Sequence, residues 1–110
     1  MHDDDVIVEI RTTCAGREAA VALAERLVAE RLAACVQVDG PLTSVYRWQG
    51  VVEQAAEFRC TCKTTNGRVA ACTAAILAHH AYETPEVLVG RFHGSPAYAA
   101  WVRASVAPSA

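Results

Sequence analysis

The feature that most constrains the fold of this chain is a long β-rich segment interrupted by one tight turn. Residues 42–48 and 51–65 both have strand character, and Gln49-Gly50 lies between them. Two such runs joined by a two-residue turn predict a β-hairpin. Its arms are longer than a small subunit needs to cover its own core, and long exposed strand edges must be covered. The sequence therefore predicts that this hairpin contacts other copies of the chain.

The second arm of the hairpin is predicted to have one dry face and an opposite face that is solvated or lies at a subunit contact, because successive side chains of a strand point to opposite sides. Along the second arm, the two faces carry Ala56, Phe58, Cys60 and Cys62 on one side and Glu57, Arg59, Thr61 and Lys63 on the other. Upstream, residues 35–38 also have strand character. The following Asp39-Gly40-Pro41 predicts a bulge or bend, since glycine permits a positive φ and proline lacks a ladder donor.

Two apolar patterns predict the main helices. Residues 17–34 carry apolar side chains at steps of three and four, with Gly16 at the N-cap and charged residues largely on the opposite face. A second helix starts near Val69, after the turn pair Asn66-Gly67, and is predicted to end near His79-His80, ahead of Pro85.

Three further elements complete the pattern. Residues 6–13 form a predicted first strand, and residues 86–92 a later one. Ser95-Pro96 supplies an N-cap and a proline at the first position of a short C-terminal helix. The order β-α-β-β-α-β-α predicts an α+β fold, a ferredoxin-like β-α-β-β-α-β sandwich with both main helices on one face of the sheet.

Length and charge narrow the range of functions. The chain has 110 residues, which predicts one domain over residues 6–106, between a mobile tail of residues 1–5 and a C-terminal tail of residues 107–110. The formal net charge is −2 and the basic residues are scattered, which argues against a nucleic-acid partner. No apolar run approaches the about 20 residues that cross a bilayer, and the acidic start is unlike a signal peptide. We expect a cytoplasmic protein with no membrane partner.

The cysteines are predicted to be packing residues. None of the five lies in a C-x-x-C pair: Cys14, Cys35, Cys60, Cys62 and Cys72. Free cysteine behaves as a small hydrophobe in a reducing compartment, which favours core packing over chemistry. Two cysteines at C-x-C spacing on one strand face cannot form a relaxed disulfide with each other.

The densest group of titratable side chains lies where the second helix ends and consists of His79, His80, Tyr82, Glu83 and Glu86. Adjacent helical histidines point about 100° apart, so joint metal binding needs the helix to unwind there, which the nearby Pro85 favours. The alternative is that these imidazoles are solvated and interact with the helix dipole. Beyond the acid-base potential of His80 and Glu83, no catalytic motif is present, and we do not expect an enzyme.

Two readings of Glu86 stay open at this point. It either pairs with Arg47 or Lys63, or faces a ligand pocket between subunits. Tyr82 is expected to pack at a subunit seam with its hydroxyl bonded. The candidate inter-subunit pocket comprises Arg47, Lys63, Tyr82, Glu83 and Glu86.

Aromatic residues at the hairpin tip also allow two interpretations. Tyr46, Arg47 and Trp48 would suit a stacking platform for a base or a cation, and they are also the residue types that subunit interfaces prefer. Because no cluster of basic residues surrounds them, an interface is favoured for Tyr46 and Trp48. Trp101 is predicted to be a further interface or core residue.

Three sequence blocks together resemble the CutA family, the divalent-cation tolerance proteins. They are E-R-L-A-A-C-V-Q-V-D-G-P-L-T-S-V-Y-R-W-Q-G at residues 30–50, A-H-H-A-Y-E-T-P-E at residues 78–86 and S-P-A-Y-A-A-W-V at residues 95–102. They occur in the family's order, and the resemblance extends over residues 6–106. It implies a PII-like homotrimer in which three sheets face a common axis and the hairpins pair with strands of neighbouring subunits.

The resemblance also implies a role in divalent-cation tolerance and a copper site. Some bacterial CutA proteins bind copper through a His-His pair, which His79 and His80 match, and through a first-strand cysteine. That last position is Thr12 here, whereas Cys14 lies two residues on and shares its side of the strand if the strand continues. Because imidazole and thiolate suit copper or zinc, we expect weak copper binding by His79, His80 and Cys14.

The resemblance leaves a second functional class open. PII-like trimers include ligand-sensing and scaffold proteins, and the candidate pocket described above would then bind a small anionic metabolite in clefts between subunits. That alternative rests on likeness of fold, which by itself carries little weight for function.

Overall fold

The computed structural model describes residues 2–108 of the chain. Its strands are β1 (Val6–Cys14), β2 (Cys35–Trp48), β3 (Val51–Thr64) and β4 (Leu88–His93). Its helices are α1 (Arg17–Ala29), α2 (Val69–His79) and α3 (Pro96–Val106), with short 3-10 turns at Asp3–Asp5 and Asn66–Arg68. This order of strands and helices agrees with the sequence prediction.

The strands form one antiparallel sheet in the order β2-β3-β1-β4. α1 connects β1 to β2, and α2 connects β3 to β4, so each helix crosses a strand that lies between the two it joins. Two crossovers interleaved in this way define the ferredoxin-like arrangement. The predicted α+β fold class is confirmed. The predicted homotrimer concerns several chains and stays a prediction.

The two faces of the sheet are covered unequally. α1 and α2 pack on one face around a core that includes Ile10, Leu27 and Ile76, all fully buried. α3 covers part of the other face, where Val102 packs in a smaller cluster with Ile7. Four cysteines lie in the larger core, in agreement with their predicted packing role: Cys14, Cys60, Cys62 and Cys72.

The long hairpin has the predicted turn. Gln49 and Gly50 have φ angles of 49° and 82°. Two successive positive φ angles are typical of the type I′ turn, whose twist suits paired strands. Pairing then continues without a shift as far as Leu42↔Glu57. The protruding arms make the molecule elongated, with principal extents of 46, 29 and 21 Å.

A bulge interrupts β2 at the predicted position. The register against β3 shifts between Asp39 and Leu42. Gly40, between them, has a φ of 150°, and a Cβ built there would lie 2.9 Å from the Glu57 carbonyl oxygen and 3.0 Å from the Phe58 ring. Glycine alone fits this close backbone approach without strain.

The predicted end of the first helix is wrong. α1 ends at Ala29 rather than at residue 34, because Arg31 has a φ of 58° and turns the chain. The N–H groups of Arg31 and Leu32 donate to the Val28 and Leu27 carbonyls, which is the pattern of a Schellman cap. Arginine occupies the left-handed position that glycine usually takes, so the sequence carried no stop signal there.

The start of the last strand also differs from the prediction. β4 begins at Leu88 rather than at residue 86, because its pairing with β1 starts at Arg11↔Leu88. Glu86 therefore belongs to the loop between α2 and β4. This loop is free to fold toward the hairpin instead of extending the sheet.

The chain's first described residues contact the rest of the fold. In the 3-10 turn Asp3–Asp5, the Asp5 carbonyl accepts from Gly94 N–H at 2.9 Å, and the Asp4 carbonyl accepts from Arg103. Mobility of residues 1–5 and the two domain limits stay predictions, and residues 1, 109 and 110 lie outside the described part. Between residues 2 and 108, none of the helices has the length and apolar character needed to cross a membrane.

Substitution of Gly40 by alanine is expected to destabilise the protein. The new Cβ would meet the Glu57 carbonyl oxygen at 2.9 Å, and we expect the free energy of unfolding to fall by about 1–3 kcal/mol. Gly67→Ala is the matched control, because a Cβ there has no neighbour within 4 Å. Chemical denaturation of both variants measures the difference, and equal stabilities would contradict this account of the bulge.

Candidate functional site

A groove lies between the hairpin and the loop that follows α2. Its volume is about 800 Å³, which is within the range of small-molecule sites. It is lined by Thr13 of β1, by Ser44, Val45, Tyr46, Trp48, Glu53 and Glu57 of the hairpin, and by Tyr82, Glu83, Thr84, Pro85 and Glu86 of the loop. Cross-strand pairing positions the hairpin wall, because directly paired residues such as Tyr46 and Glu53 share a face.

The groove is strongly acidic, and we call it the acidic groove. Glu53, Glu57, Glu83 and Glu86 line it, and within residues 2–108 no lysine or arginine does. The lining also includes three aromatic rings, whose faces attract cations. The arrangement therefore favours a positively charged ligand over a negatively charged one.

His80 attaches the loop after α2 to β1. Its Nε2 lies 2.7 Å from the Thr13 carbonyl oxygen, and its Nδ1 accepts from the Tyr82 N–H at 3.0 Å. Because a carbonyl oxygen can only accept, Nε2 carries the proton, and the lone pair of Nδ1 faces the Tyr82 N–H. Both ring nitrogens of His80 are thus engaged within one chain. The imidazole also packs on the Tyr82 ring, with 4.7 Å between centroids.

Tyr82 connects the same loop to the hairpin. Its hydroxyl donates to Glu57 Oε2 at 3.0 Å. Burial, together with the adjacent Glu57 carboxylate, raises the pKa of Tyr82 to about 12. The hydroxyl therefore remains protonated at neutral pH and holds the loop against β3. This bond lies within one chain, and the predicted packing of Tyr82 at a subunit seam stays a prediction.

The three predicted copper ligands do not form a preassembled site. β1 continues to Cys14, as the prediction required, but this side chain is buried in the core, and burial raises the pKa of its thiol. His79 is exposed at the last residue of α2, and His80 is engaged as described. No group of three or more His, Cys, Asp or Glu side chains within residues 2–108 is arranged to hold a metal ion.

Two basic residues predicted for the pocket between subunits, Lys63 and Arg47, do not line the acidic groove of the single chain, and their place between subunits stays a prediction. Lys63 pairs with Glu9, which also accepts from Arg11 Nη2 at 2.8 Å. Burial alone would raise the pKa of Glu9, but Lys63 and Arg11 outweigh it and hold the pKa below its usual range. Arg47 donates to a main-chain carbonyl of the hairpin turn at 3.3 Å. Glu86 pairs with neither Lys63 nor Arg47.

The aromatic residues predicted for an interface are on the surface of the single chain. Tyr46 and Trp48 are 40% and 47% exposed, and they line the acidic groove. Trp101 is 48% exposed and stacks on Tyr98 with 5.6 Å between centroids, so it is not a core residue. Their part in an interface stays a prediction.

Comparison with known proteins gives the family of this fold. The model of the family described as CutA1 divalent ion tolerance protein matches residues 8–105. This chain belongs to the CutA1 family. A relative from Escherichia coli O139:H28 (strain E24377A / ETEC), named Divalent-cation tolerance protein CutA, is 40% identical over 85 residues, which cover 76% of each chain. The resemblance drawn from the three sequence blocks is confirmed.

Solved CutA structures share the architecture. CutA from Xylella fastidiosa has a TM-score of 0.88 and 35% identity, covering 94% of this chain and 99% of that chain. Cut A1 from Thermus thermophilus has a TM-score of 0.86 and 35% identity, covering 90% and 97% of the two chains. The likeness therefore extends over nearly the whole CutA fold, including the long hairpin.

Among the acidic-groove residues that sequence reasoning missed are Thr13 and the two hairpin carboxylates Glu53 and Glu57. Alternation along β3 placed Glu57 on the polar face, which was a usable signal, but nothing local indicated that Tyr82 would reach it. Glu53 and Thr13 likewise become groove residues only because the loop after α2 folds over the hairpin base. The missing information was the path of that loop.

Replacing the two neighbouring histidines is expected to have unequal effects on stability. His80→Ala removes the hydrogen bonds to the Thr13 carbonyl and from the Tyr82 N–H, which should lower the free energy of unfolding by about 1–3 kcal/mol. His79→Ala, at an exposed position, should change it by less than about 0.5 kcal/mol. Urea denaturation tests this, and similar losses in the two variants would disprove the fastening role of His80.

Proposed function

We propose that this protein is a cytoplasmic homotrimer without enzymatic activity that acts in divalent-cation tolerance by weak, reversible metal binding. Copper is the proposed metal, held at the rim of the acidic groove by His79 and His80, with Cys14 assisting. The observation that carries this proposal is the set of four carboxylates that line the acidic groove, whose lining residues Thr13 and Tyr82 are hydrogen-bonded to His80. The family's description supports it, because that description concerns divalent ion tolerance rather than a reaction.

The state of each ligand explains why binding would be weak. His79 offers an exposed imidazole, a ligand type that suits copper. His80 must give up its bond with the Tyr82 N–H before its Nδ1 can bind a metal. Cys14 must lose its proton against the effect of burial. Carboxylates of the acidic groove would meanwhile raise the local concentration of cations and favour fast exchange.

Free thiols support the proposed cytoplasmic location. The five cysteines are free in the structure. A reducing cytoplasm would keep them as thiols and would leave Cys14 able to reach a metal during fluctuations.

An anionic metabolite in the acidic groove has little support. Four carboxylates would repel it, and the predicted cationic residues Arg47 and Lys63 do not line the groove. We therefore retain metal binding as the function of this groove. The alternative of an anionic metabolite concerns clefts between subunits, which are a separate surface from the acidic groove.

Exposed apolar residues support the homotrimer. On the hairpin, Val45, Val51 and Val52 are each about 60% exposed, and on β4 Leu88 and Phe92 are exposed too. The radius of gyration is 14.8 Å, above the about 13 Å typical of a compact chain of this length. Apolar strands that protrude this far favour contact with neighbouring copies.

Copper binding is expected to depend on the histidine pair. Calorimetric titration with Cu(II), in a His2→Ala background that removes another exposed imidazole, should show about tenfold weaker binding after His79→Ala and His80→Ala are combined. The reason is the loss of both imidazole ligands. His93→Ala is the matched control, because His93 is exposed at the far end of β4. Equal affinities in the double variant and the control would remove His79 and His80 from the proposed site.

The oligomeric state is a separate prediction. Light scattering at micromolar concentration should give about three times the 11.8 kDa mass of one chain. Val52→Glu should lower the melting temperature more than Val28→Glu, because the first charge would be buried between subunits and the second stays solvated on α1. Both valines are exposed in the single chain. A mass of one chain for the unmodified protein would refute the trimer.

A further inference from the structure

A second pocket lies at the opposite end of β3 from the hairpin turn, between the start of α2 and the end of α3. Its volume is about 430 Å³, and its walls are Thr65, Gly67, Arg68, Arg103, Val106, Ala107 and Pro108. Two guanidinium groups line it, and no carboxylate side chain of residues 2–108 does. We call it the arginine pocket.

Each arginine uses one nitrogen to support the fold. Arg68 Nε donates to the Val106 carbonyl at 2.9 Å, and Arg103 Nη1 donates to the Asp4 carbonyl. A guanidinium has five N–H donors, so most of the donors of each group are left over. In the part of the chain that the structure describes, neither arginine forms an ion pair; the salt bridges there belong to Arg11, Arg26, Arg59 and Lys63.

The negative C-terminal end of α3 balances only part of the positive charge of the arginines at this pocket. The C-terminal end of a helix carries about −0.5 of a unit charge. Arg31 adds a third guanidinium there, with Nη1 3.5 Å from the Ala107 carbonyl oxygen. The positive charges therefore exceed what the helix end can balance. The turn Asp3–Asp5 meets Arg103 through the main-chain carbonyl of Asp4, and none of its three carboxylates lines the pocket.

We propose that the arginine pocket binds a divalent oxyanion, a phosphate group, through Arg68 and Arg103. The planar guanidinium fork matches the oxygens of a phosphate and binds them in pairs. A phosphate group carries about −1.5 to −2 charges at neutral pH, close to the charge of the two arginines. The volume leaves room for the small molecule to which such a group is attached. This site is separate from the acidic groove and does not rest on the proposed metal function.

Titration of the isotope-labelled full chain with inorganic phosphate tests the proposal by NMR. At constant ionic strength, against sodium chloride, the amide signals of Gly67 and Ala107 should shift in a saturable way. In Arg68→Gln/Arg103→Gln the apparent affinity should fall about tenfold or more. Arg17→Gln/Arg26→Gln is the matched control, because it removes the same charge from the exposed face of α1 and should bind phosphate like the unmodified protein.

A lysine double variant and a second phosphate ligand complete the test. Arg68→Lys/Arg103→Lys retains the charge but loses the fork, so it should fold even where the glutamine variant does not, and should bind more weakly than the unmodified protein. Glycerol 3-phosphate, compared with inorganic phosphate, shows whether the free ion or an ester is preferred, and binding of either supports the proposal. Shifts that chloride reproduces, or an equal loss of affinity in the Arg17/Arg26 control, would overturn it.

Discussion

Pairing of β3 on both of its edges is the constraint on which the rest of this structure depends. Its second half is hydrogen-bonded to β1 and to β2, while its first half has only β2 as a neighbour. Backbone groups need partners, so the doubly paired half lies inside the sheet and the singly paired half becomes a projecting arm. One strand thus helps to close the core and also builds the hairpin. The exposed, apolar character of that arm is the physical argument for association of chains.

The acidic groove is a consequence of the same pairing. Alternation places Cys60 in the core and Glu57 on the opposite face of β3, and the bulge at Gly40 lies directly against Glu57. The loop after α2 is then held by two bonds, His80 to β1 and Tyr82 to Glu57. Because each bond joins the loop to a different strand, the groove has a defined width. The residues that shape it are therefore also residues that stabilise the fold.

Charge is separated along the molecule. The formal net charge is only −2, yet four glutamates face one groove and two arginines face a pocket at the other end of β3. Local fields, rather than net charge, decide which ions a surface attracts. A metal cation and a phosphate group would consequently bind at separate places, and neither would neutralise the site of the other. The four carboxylates also disfavour an anion in the acidic groove.

Local sequence rules determined much of this protein. The Gln49-Gly50 turn, the bulge at Gly40 and the cap at Ser95 each follow from the conformational limits of one or two residues, and all were predicted at their observed positions. The order of elements, and with it the α+β class, followed from apolar periodicity. Where a local rule was broken, as by Arg31 in the left-handed region, the predicted boundary was wrong. The family could be recognised because its motifs are short and consecutive.

Only the tertiary structure decided what the functional residues can do. His79 and His80 are neighbours in sequence, but just one of them is engaged, through a carbonyl that is 67 residues away. Glu57 is hydrogen-bonded to Tyr82, which is 25 residues away in the sequence, and Arg68 is hydrogen-bonded to the end of α3, 38 residues away. Secondary-structure propensity and apolar periodicity act over a few residues and cannot predict contacts between residues this far apart in the sequence. These contacts depend on how the helices and the loop pack against one sheet, which is settled only when the whole core is formed.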